Sequence, residues 1–381
     1  MKKVFFLIPT LSIGGGERVV SELSLNFNKS INTTIILFKK EISYPYKGRI
    51  VSLDIFFSKN PFLKIYFYLK ALNKFRKIVR SEKPDYIISF GHPANVINIL
   101  SKRRGSKVLA RVDNFYSSSC YGFGGAVYKL LIKILFNRAD IIIDVSKESA
   151  EDLVENFGVK EKKVKVIYNP LDIKKIDALS VEPLLKEHEK IFENPVVINM
   201  GRMNRQKGQK YLIEAFLQIK NKIKNTKLVI LGEGELEEEL KAFSKKYGLS
   251  EDIYFLGWQK NPFKFLARSK MFLLSSLWEG LPYVLLESMA CSLPIVSFDC
   301  ASGPREILAP GTDFKIKMKG IEYAKYGILV EKQNKDLLAK ASIELLSNNG
   351  MLLKMKEKSR ERINDFDIKN IIKEWDFLEH D

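Results

Sequence analysis

Cysteine and histidine are scarce in this 381-residue chain, three of each, and no apolar run approaches the ~18 residues that a membrane span requires. Cys120, Cys291 and Cys300 are odd in number and lack metal-ligand spacing, which argues against a disulfide framework or a zinc module and fits a reducing cytoplasm. They read as small buried apolar residues. Of the histidines, His188 and His380 read as surface residues. His92, in Phe90-Gly91-His92-Pro93 after an apolar run, is open to a ligand contact or a plain structural role. The amino terminus, Met1-Lys2-Lys3 followed by Val4 to Ile8, imitates a signal peptide, but the run stops at Pro9 and no small-residue cleavage site follows; a first strand is expected there.

Two phosphate-binding fingerprints are also missing. A G-x-G-x-x-G spacing would need glycine at 14, 16 and 19, and position 19 is Val. Gly232-Glu233-Gly234 is crowded by Glu235, Glu237, Glu238 and Glu239, which would repel a pyrophosphate, so NAD is not expected. The P-loop pattern G-x-x-x-x-G-K-[ST] does not occur either. Asp365-Phe366-Asp367 imitates a metal-binding D-x-D pair, but acidic residues near a helix start suit the dipole, and no metal is expected.

Positive charge is plentiful and uneven. Of the net +18, a surplus of 15 lies in residues 1–180, with 31 Lys and Arg against 16 Asp and Glu. Nucleic acid, an anionic membrane and a polyphosphate ligand would all be drawn to such a field. The stretch Phe62 to Arg80 pairs Leu63, Phe67, Leu69, Leu72, Phe75 and Val79 with Lys64, Lys70, Lys74, Arg76, Lys77 and Arg80. It reads either as a membrane-surface helix or as a crossover helix with a solvated basic face. Tyr121 to Phe136, with Phe123, Tyr128, Lys129, Leu131 and Lys133, has the same blend and would extend that surface.

Short apolar runs alternate with amphipathic helical stretches: 4–8, 34–38, 86–89, 108–111, 141–144 and 164–167, then 196–200, 228–231, 253–256, 271–274, 295–298 and 328–330. That alternation predicts two doubly wound α/β domains with parallel sheets, at 1–180 and 195–365. A polar stretch at 181–194 is expected as the linker, and an amphipathic segment at 366–381 containing Trp375 as a helix that returns to the first domain. Two such domains leave a cleft between the carboxyl ends of their strands.

Chemistry concentrates in three places. Gly14-Gly15-Gly16-Glu17-Arg18 follows the first strand, where glycine permits close approach of backbone to ligand; a mere tight turn is the other reading. Arg202 and Lys207 sit between a strand and a helix in Gly201-Arg202-Met203-Asn204-Arg205-Gln206-Lys207-Gly208. Arg grips phosphate oxygens bidentately and Lys adds a point charge, although alone this would be a solvated basic loop. Glu279 and Glu287 bracket a Gly280/Pro282 turn and an apolar run. Helical geometry puts them on the order of 10 Å apart, suited to different parts of one extended ligand. Retaining glycosidases hold their two carboxylates roughly 5 Å apart, so that pairing does not apply. Free N–H groups after Gly280 would face a phosphate, which makes the stretch a nucleotide-sugar site or else a capped surface helix.

Taken together, Gly14-Gly15-x-Glu17-Arg18, Gly201-Arg202…Lys207-Gly208, Glu279-x7-Glu287 and Gly303-Pro304-Arg305-Glu306-Ile307 occur in this order across nearly the whole chain. The chain resembles family 4 retaining glycosyltransferases of the GT-B fold, two Rossmann-like domains facing across a cleft. The resemblance implies that Glu287 binds ribose hydroxyls, Glu279 a donor-sugar hydroxyl, and Arg202 and Lys207 the diphosphate. The backbone from Gly280 through Leu281 and Tyr283 to Val284 would hold phosphate and sugar, and that near Trp258 and Gln259 would border the base. Gly15 and Gly16 would line the donor sugar and acceptor, with Glu17, Arg18 and His92 as further acceptor or sugar candidates. Many relatives carry a His in the loop after the strand that ends here at Ala110-Arg111-Val112-Asp113-Asn114. This chain has none, and Arg111, Asp113 and Asn114 are the local polar candidates.

The expected activity is therefore metal-independent, cofactor-free transfer from a UDP-sugar to a glycan or polyprenyl-diphosphate-linked acceptor in bacterial surface-glycan synthesis. Catalysis would fall to Arg202, Lys207 and Glu279. The enzyme would be cytoplasmic and peripheral on the inner face of the membrane, bound to its anionic surface. The alternatives are a UDP-sugar epimerase of the same fold and a nucleic-acid-binding protein; the latter ranks last because no zinc ligands, RNA-binding aromatic signature or disordered basic tail occur.

Overall fold

Apolar strands with no polar alternation need cover on both faces, and in a computed structural model of the chain they obtain it from helices packed on either side of two sheets. The structure describes residues 1–12, 14–55, 61–119 and 122–380; for Pro61, Phe62, Lys64, Ser119, Gly122, Phe123, Gly124 and His380 only the backbone is described. The expectations for Cys120, for Tyr121 and for the side chains of Phe62, Lys64, Phe123 and His380 lie outside that set.

The chain divides into two units, Met1–Pro170 with Ile368–Asp381, and Leu171–Asp367. The first contains β1 (Lys2–Ile8), β2 (Ile31–Leu37), β3 (Arg49–Ser52), β4 (Tyr86–Phe90), β5 (Lys107–Val112), β6 (Ile141–Asp144) and β7 (Val164–Val166). They form one parallel sheet in the order β3-β2-β1-β4-β5-β6-β7. Its helices are α1 (Gly15–Asn26), α2 (Pro61–Glu82), α3 (His92–Leu100), α4 (Gly122–Phe136) and α5 (Lys147–Glu155). Ala71, Phe75 and Val79 of α2 pack with Ala94 and Ile97 of α3 over β1 and β4, and Ile132 and Phe136 of α4 pack over β5 and β6.

The terminal segment, a series of short helical turns from Ile368 to His380, covers a different part of the same unit. Trp375 is fully buried, edge-on to Phe27 at 6.5 Å and stacked on Phe377 at 6.3 Å, and Phe27 in turn stacks on Phe6 of β1. Lys165 donates to the Glu374 carbonyl at 2.9 Å.

The second unit holds α6 (Ile173–Ser180), α7 (Lys186–Phe192), β8 (Val196–Met200), α8 (Gln209–Lys222), β9 (Lys227–Leu231), α9 (Glu237–Lys246), β10 (Ile253–Phe255), α10 (Phe263–Leu266), β11 (Met271–Leu274), α11 (Tyr283–Ala290), β12 (Ile295–Phe298), α12 (Pro304–Leu308), β13 (Ile321–Ala324), β14 (Gly327–Val330), α13 (Lys335–Ser347) and α14 (Asn349–Ile363). Its sheet runs β10-β9-β8-β11-β12-β14-β13, parallel except for β13.

Two strands escaped the sequence reading, β3 and β13. Both are edge strands with half-exposed, mixed patterns, so neither carries an apolar run. The stretch 181–194, expected as a linker, is no free connector: it contains α7 and clusters with the second unit. Pro183 and Ser180 carbonyls accept from Lys264 and Arg268, and Ile191 is buried. The chain leaves the first unit at Pro170 and returns at Ile368, where the Leu171 N–H donates to the Phe366 carbonyl at 2.9 Å. Asp365 forms an ion pair with Arg362.

Trp375→Ala should destabilise the protein by about 3–5 kcal/mol, the usual cost of emptying a buried Trp site. Urea unfolding followed by circular dichroism measures this, and an unchanged midpoint would contradict the packing role given to the terminal segment.

Candidate active site

In doubly wound sheets ligands bind beyond the carboxyl ends of the strands, where the strand order reverses. In the second unit that point lies between β8 and β11, and the two loops leaving these strands carry Arg202 with Lys207 and Glu279. The sequence-predicted residues from segments some 70 positions apart therefore meet by topology. Lys207 Nζ lies 2.6 Å from Glu279 Oε1, both side chains largely buried. Arg202 is exposed.

The backbone of these loops is over-determined. Asn204 caps the short turn Arg205–Lys207 by accepting from the Lys207 N–H, and Gly208 follows at φ 62°. A Cβ at Gly208 would fall 2.2 Å from the Ser275 carbonyl, so only glycine lets the two loops approach this closely. Ser275 Oγ donates to the Lys207 carbonyl at 2.9 Å, the Leu277 N–H donates to the Gln206 carbonyl at 2.7 Å, and Gln206 Nε2 reaches the Trp278 carbonyl at 2.9 Å.

Behind them, Gly232 and Gly234 press against the Gly201 and Met203 carbonyls, where a Cβ would come within 2.2 Å of either oxygen. That contact accounts for the Gly-x-Gly spelling there without a cofactor. Trp258 is exposed and its main-chain N–H donates to Glu233 Oε1 at 3.3 Å, while Gln259 Nε2 donates to the Leu256 carbonyl at 2.6 Å.

Glu279 is fixed through its main chain: its N–H donates to the Ala301 carbonyl at 2.7 Å, and the Ser302 N–H donates back to the Glu279 carbonyl at 3.2 Å. Gly280, Leu281 and Pro282 are buried, and α11 starts behind Pro282 with no side-chain cap. Tyr283 and Val284, both half-buried, thus open a helix whose first N–H groups suit an anion. Glu287, one turn on, is buried. Its carboxylate, after burial itself, helps to push the Cys291 thiol up to about 12.

Residues that sequence reasoning cited only as motif letters turn out to hold this loop. Gly303, at φ 93°, would place a Cβ 2.6 Å from the Gly280 carbonyl and from Pro282 Cδ. Arg305 is buried against Asp299 at 2.5 Å and Glu322 at 2.9 Å; burial opposes its charge, and the two carboxylates outweigh that and raise its pKa. Asp299 also accepts from the Met318 N–H at 2.7 Å. The Asp299 and Glu322 partners lie outside the motif and had no signal in the sequence.

The first unit repeats the switch point between β1 and β4, and the glycine loop and His92 leave those strands. Glu17 folds back over Gly14, where a Cβ would lie 2.2 Å from its Oε2. Gly15 is exposed, Arg18 half-buried, and Gly16 faces Asp113, whose Oδ2 lies 3.6 Å from a Cβ position at that glycine. Arg111 is fully buried: its Nε donates to Asp113 Oδ1 at 2.8 Å and its Nη2 to Asn169 Oδ1. Asn114 is exposed. His92 Nδ1 is 3.2 Å from the Tyr128 hydroxyl and its ring lies edge-on to Tyr116, so it has structural contacts where the sequence left its role open. Among the described residues no group of three or more His, Cys, Asp or Glu has metal-site geometry.

Residues 13–175 match the family model described as Glycosyltransferase Family 4, and residues 181–362 match that described as Glycosyl transferases group 1. An uncharacterized glycosyltransferase of Methanocaldococcus jannaschii is 38% identical over 84% of this chain and 85% of its own length. The N-acetylgalactosamine-N,N'-diacetylbacillosaminyl-diphospho-undecaprenol 4-alpha-N-acetylgalactosaminyltransferase of Campylobacter jejuni is 31% identical over 96% of each. Among solved structures, an Anabaena protein in complex with UDP-glucose superposes with a TM-score of 0.79 over 98% of each chain at 18% identity.

Lys207→Met should leave Glu279 buried without its cation and lower stability by about 3 kcal/mol in the ligand-free protein. The double variant Lys207→Met/Glu279→Gln should recover part of that loss in a urea-unfolding cycle. Additive losses would mean that the pair does not couple.

Proposed function

The chain belongs to glycosyltransferase family 4, and from that membership we propose that it moves a hexose or N-acetylhexosamine from a UDP-sugar to a hydroxyl of a lipid-linked glycan acceptor. Membership sets aside the epimerase and nucleic-acid-binding alternatives. The observation that carries the proposal is the junction of Lys207, Glu279 and the uncapped start of α11 at the switch point of the second sheet. In this reading Arg202, Lys207 and the N–H groups after Pro282 take the diphosphate, Glu279 a sugar hydroxyl and Glu287 the ribose. Trp258 and Gln259 border the base. Gly15 and Gly16 line the donor sugar and the acceptor, and the Arg111–Asp113 pair serves the sugar or the acceptor.

The donor is supported by the UDP-glucose held by the Anabaena neighbour, and the acceptor by the undecaprenyl-diphosphate substrate in the Campylobacter relative's name. In this reading the UDP-sugar meets its lipid-linked acceptor at the cytoplasmic face of a membrane, with the enzyme peripheral. Among the described residues no helix is long and apolar enough to cross one.

The anomeric configuration is retained and no metal takes part in this proposal. The bond between the anomeric carbon and the diphosphate oxygen breaks with its electron pair passing to UDP. The acceptor oxygen bonds to the same face of that carbon, and its proton goes to the departing diphosphate oxygen. No side chain is required as a base. Lys207 is already held in place by Glu279, so its charge meets the developing diphosphate with little reorganisation.

Two measurements test this. Calorimetric titration should detect UDP binding in preference to GDP, ADP and NAD, and Glu287→Ala should abolish it; a GDP or ADP preference would change the donor class, and no nucleotide binding would overturn the reading. Arg202→Ala should lower kcat at saturating donor by at least ~10-fold, since it acts on charge that develops in the transition state. An unchanged kcat would remove Arg202 from catalysis.

A further inference from the structure

Four side chains of α4, Val127, Leu130, Leu131 and Ile134, recur at i, i+3, i+4 and i+7 and so lie on one side of the helix. They are 43–58% exposed, while Ile132 and Phe136 on the other side are buried in the core. The helix is thus apolar on its solvent side as well as its core side. On α2, Ala71, Phe75 and Val79 face the core, whereas Leu63, Ile65, Tyr66 and Leu69 are 48–62% exposed. Between the two runs α3, which packs against both α2 and α4 and ends in the exposed Leu100. Single exposed apolar residues are ordinary; eight large ones on α2 and α4, the two helices that flank α3, ask for a partner.

The charges around the patch say which partner. Lys70, Lys77, Arg80 and Lys133 are exposed, and Lys129 is half-buried. Neither α2 as far as Ser81 nor α4 contains an Asp or Glu. Two cations that looked available in the sequence are not, because Lys74 Nζ donates to the Leu53 carbonyl and Arg76 Nη2 to the Leu100 carbonyl, each at 2.6 Å. A second copy of the chain on this face would bring like charges together. An anionic bilayer offers an apolar interior beneath a negative rim.

We propose that α2 through Leu69 and α4 from Val127 to Ile134 seat this unit on an anionic bilayer, with the apolar side chains entering the acyl boundary and the lysines meeting lipid phosphates. The anchor is apolar first and electrostatic second. This deepens the lipid-linked acceptor reading by naming the surface that would meet the membrane. Its test uses neither donor nor acceptor, so failure here leaves the transferase reading standing.

The full chain is sedimented with phosphatidylcholine vesicles, with and without phosphatidylglycerol. The wild type should bind the anionic vesicles and keep a measurable part of that binding at about 0.5 M salt, where surface charge is screened within a few ångströms. Leu130→Ser/Ile134→Ser should partition at least ~10-fold more weakly, because two exposed side chains that would be buried in lipid are lost. Lys70→Glu/Lys77→Glu should lose the preference for anionic lipid. Circular dichroism and urea unfolding of each variant report whether the fold is intact. Equal partitioning of Leu130→Ser/Ile134→Ser and wild type, complete loss of wild-type binding at high salt, or a wild-type dimer in sedimentation velocity that this variant abolishes would each overturn the proposal.

Discussion

The ion pair between Lys207 and Glu279 joins the two loops at which the second sheet changes direction, and most of the site's geometry depends on it. A lysine and a glutamate that are both nearly out of water have to satisfy each other. Their union fixes where the loop after β8 and the loop after β11 end, and hence where α11 begins. The hydrogen bonds among Gln206, Ser275, Leu277 and Trp278 make the same connection through backbone atoms. A cation and a helix start are thus brought to one point without any side chain capping the helix.

How much of this could be read in the sequence differs by element. The inner strands with apolar runs were legible because burial on both faces leaves little polar alternation, and the edge strands β7 and β10 were found from their apolar residues although each is partly exposed. The edge strands β3 and β13 were not, since their exposed side carries polar residues and their pairing is decided by neighbours far away in the chain. Lys207, Glu279 and Glu287 could be singled out from their place after strands, but the direct contact between the first two could not, because the strand order that creates it is a tertiary property. Asp299 and Glu322, which hold Arg305, belong to the same class of long-range partner. At 181–194, expected as a linker, polar composition conceals α7 and the contacts of the preceding Ser180 and Pro183 carbonyls with Arg268 and Lys264 for a related reason.

The glycines show how one residue type serves two ends. Gly208, Gly232, Gly234 and Gly303 each sit where a methyl group would collide with a carbonyl of another loop. In sequence such glycines look like ligand contacts, and two of them imitate a dinucleotide fingerprint. In the fold they are spacers that let backbone pack on backbone, which keeps the ligand-facing loops rigid without side chains in between. The basic residues of α2 divide in the same manner, Lys74 and Arg76 serving the fold and Lys70, Lys77 and Arg80 facing solvent.

The burial of Trp375 against Phe27 has a consequence for how the protein is made. The first unit is not a continuous piece of sequence, for its last fourteen residues arrive after the whole of the second unit has been synthesised. A chain emerging from the ribosome therefore presents the first sheet with its Phe6–Phe27 side uncovered, while residues 171–367 already have everything they need to close. The unit begun first is completed last. Until the segment after Asp367 has emerged, that aromatic surface is open to chaperones, and a chain truncated anywhere in the second unit would carry it exposed for good.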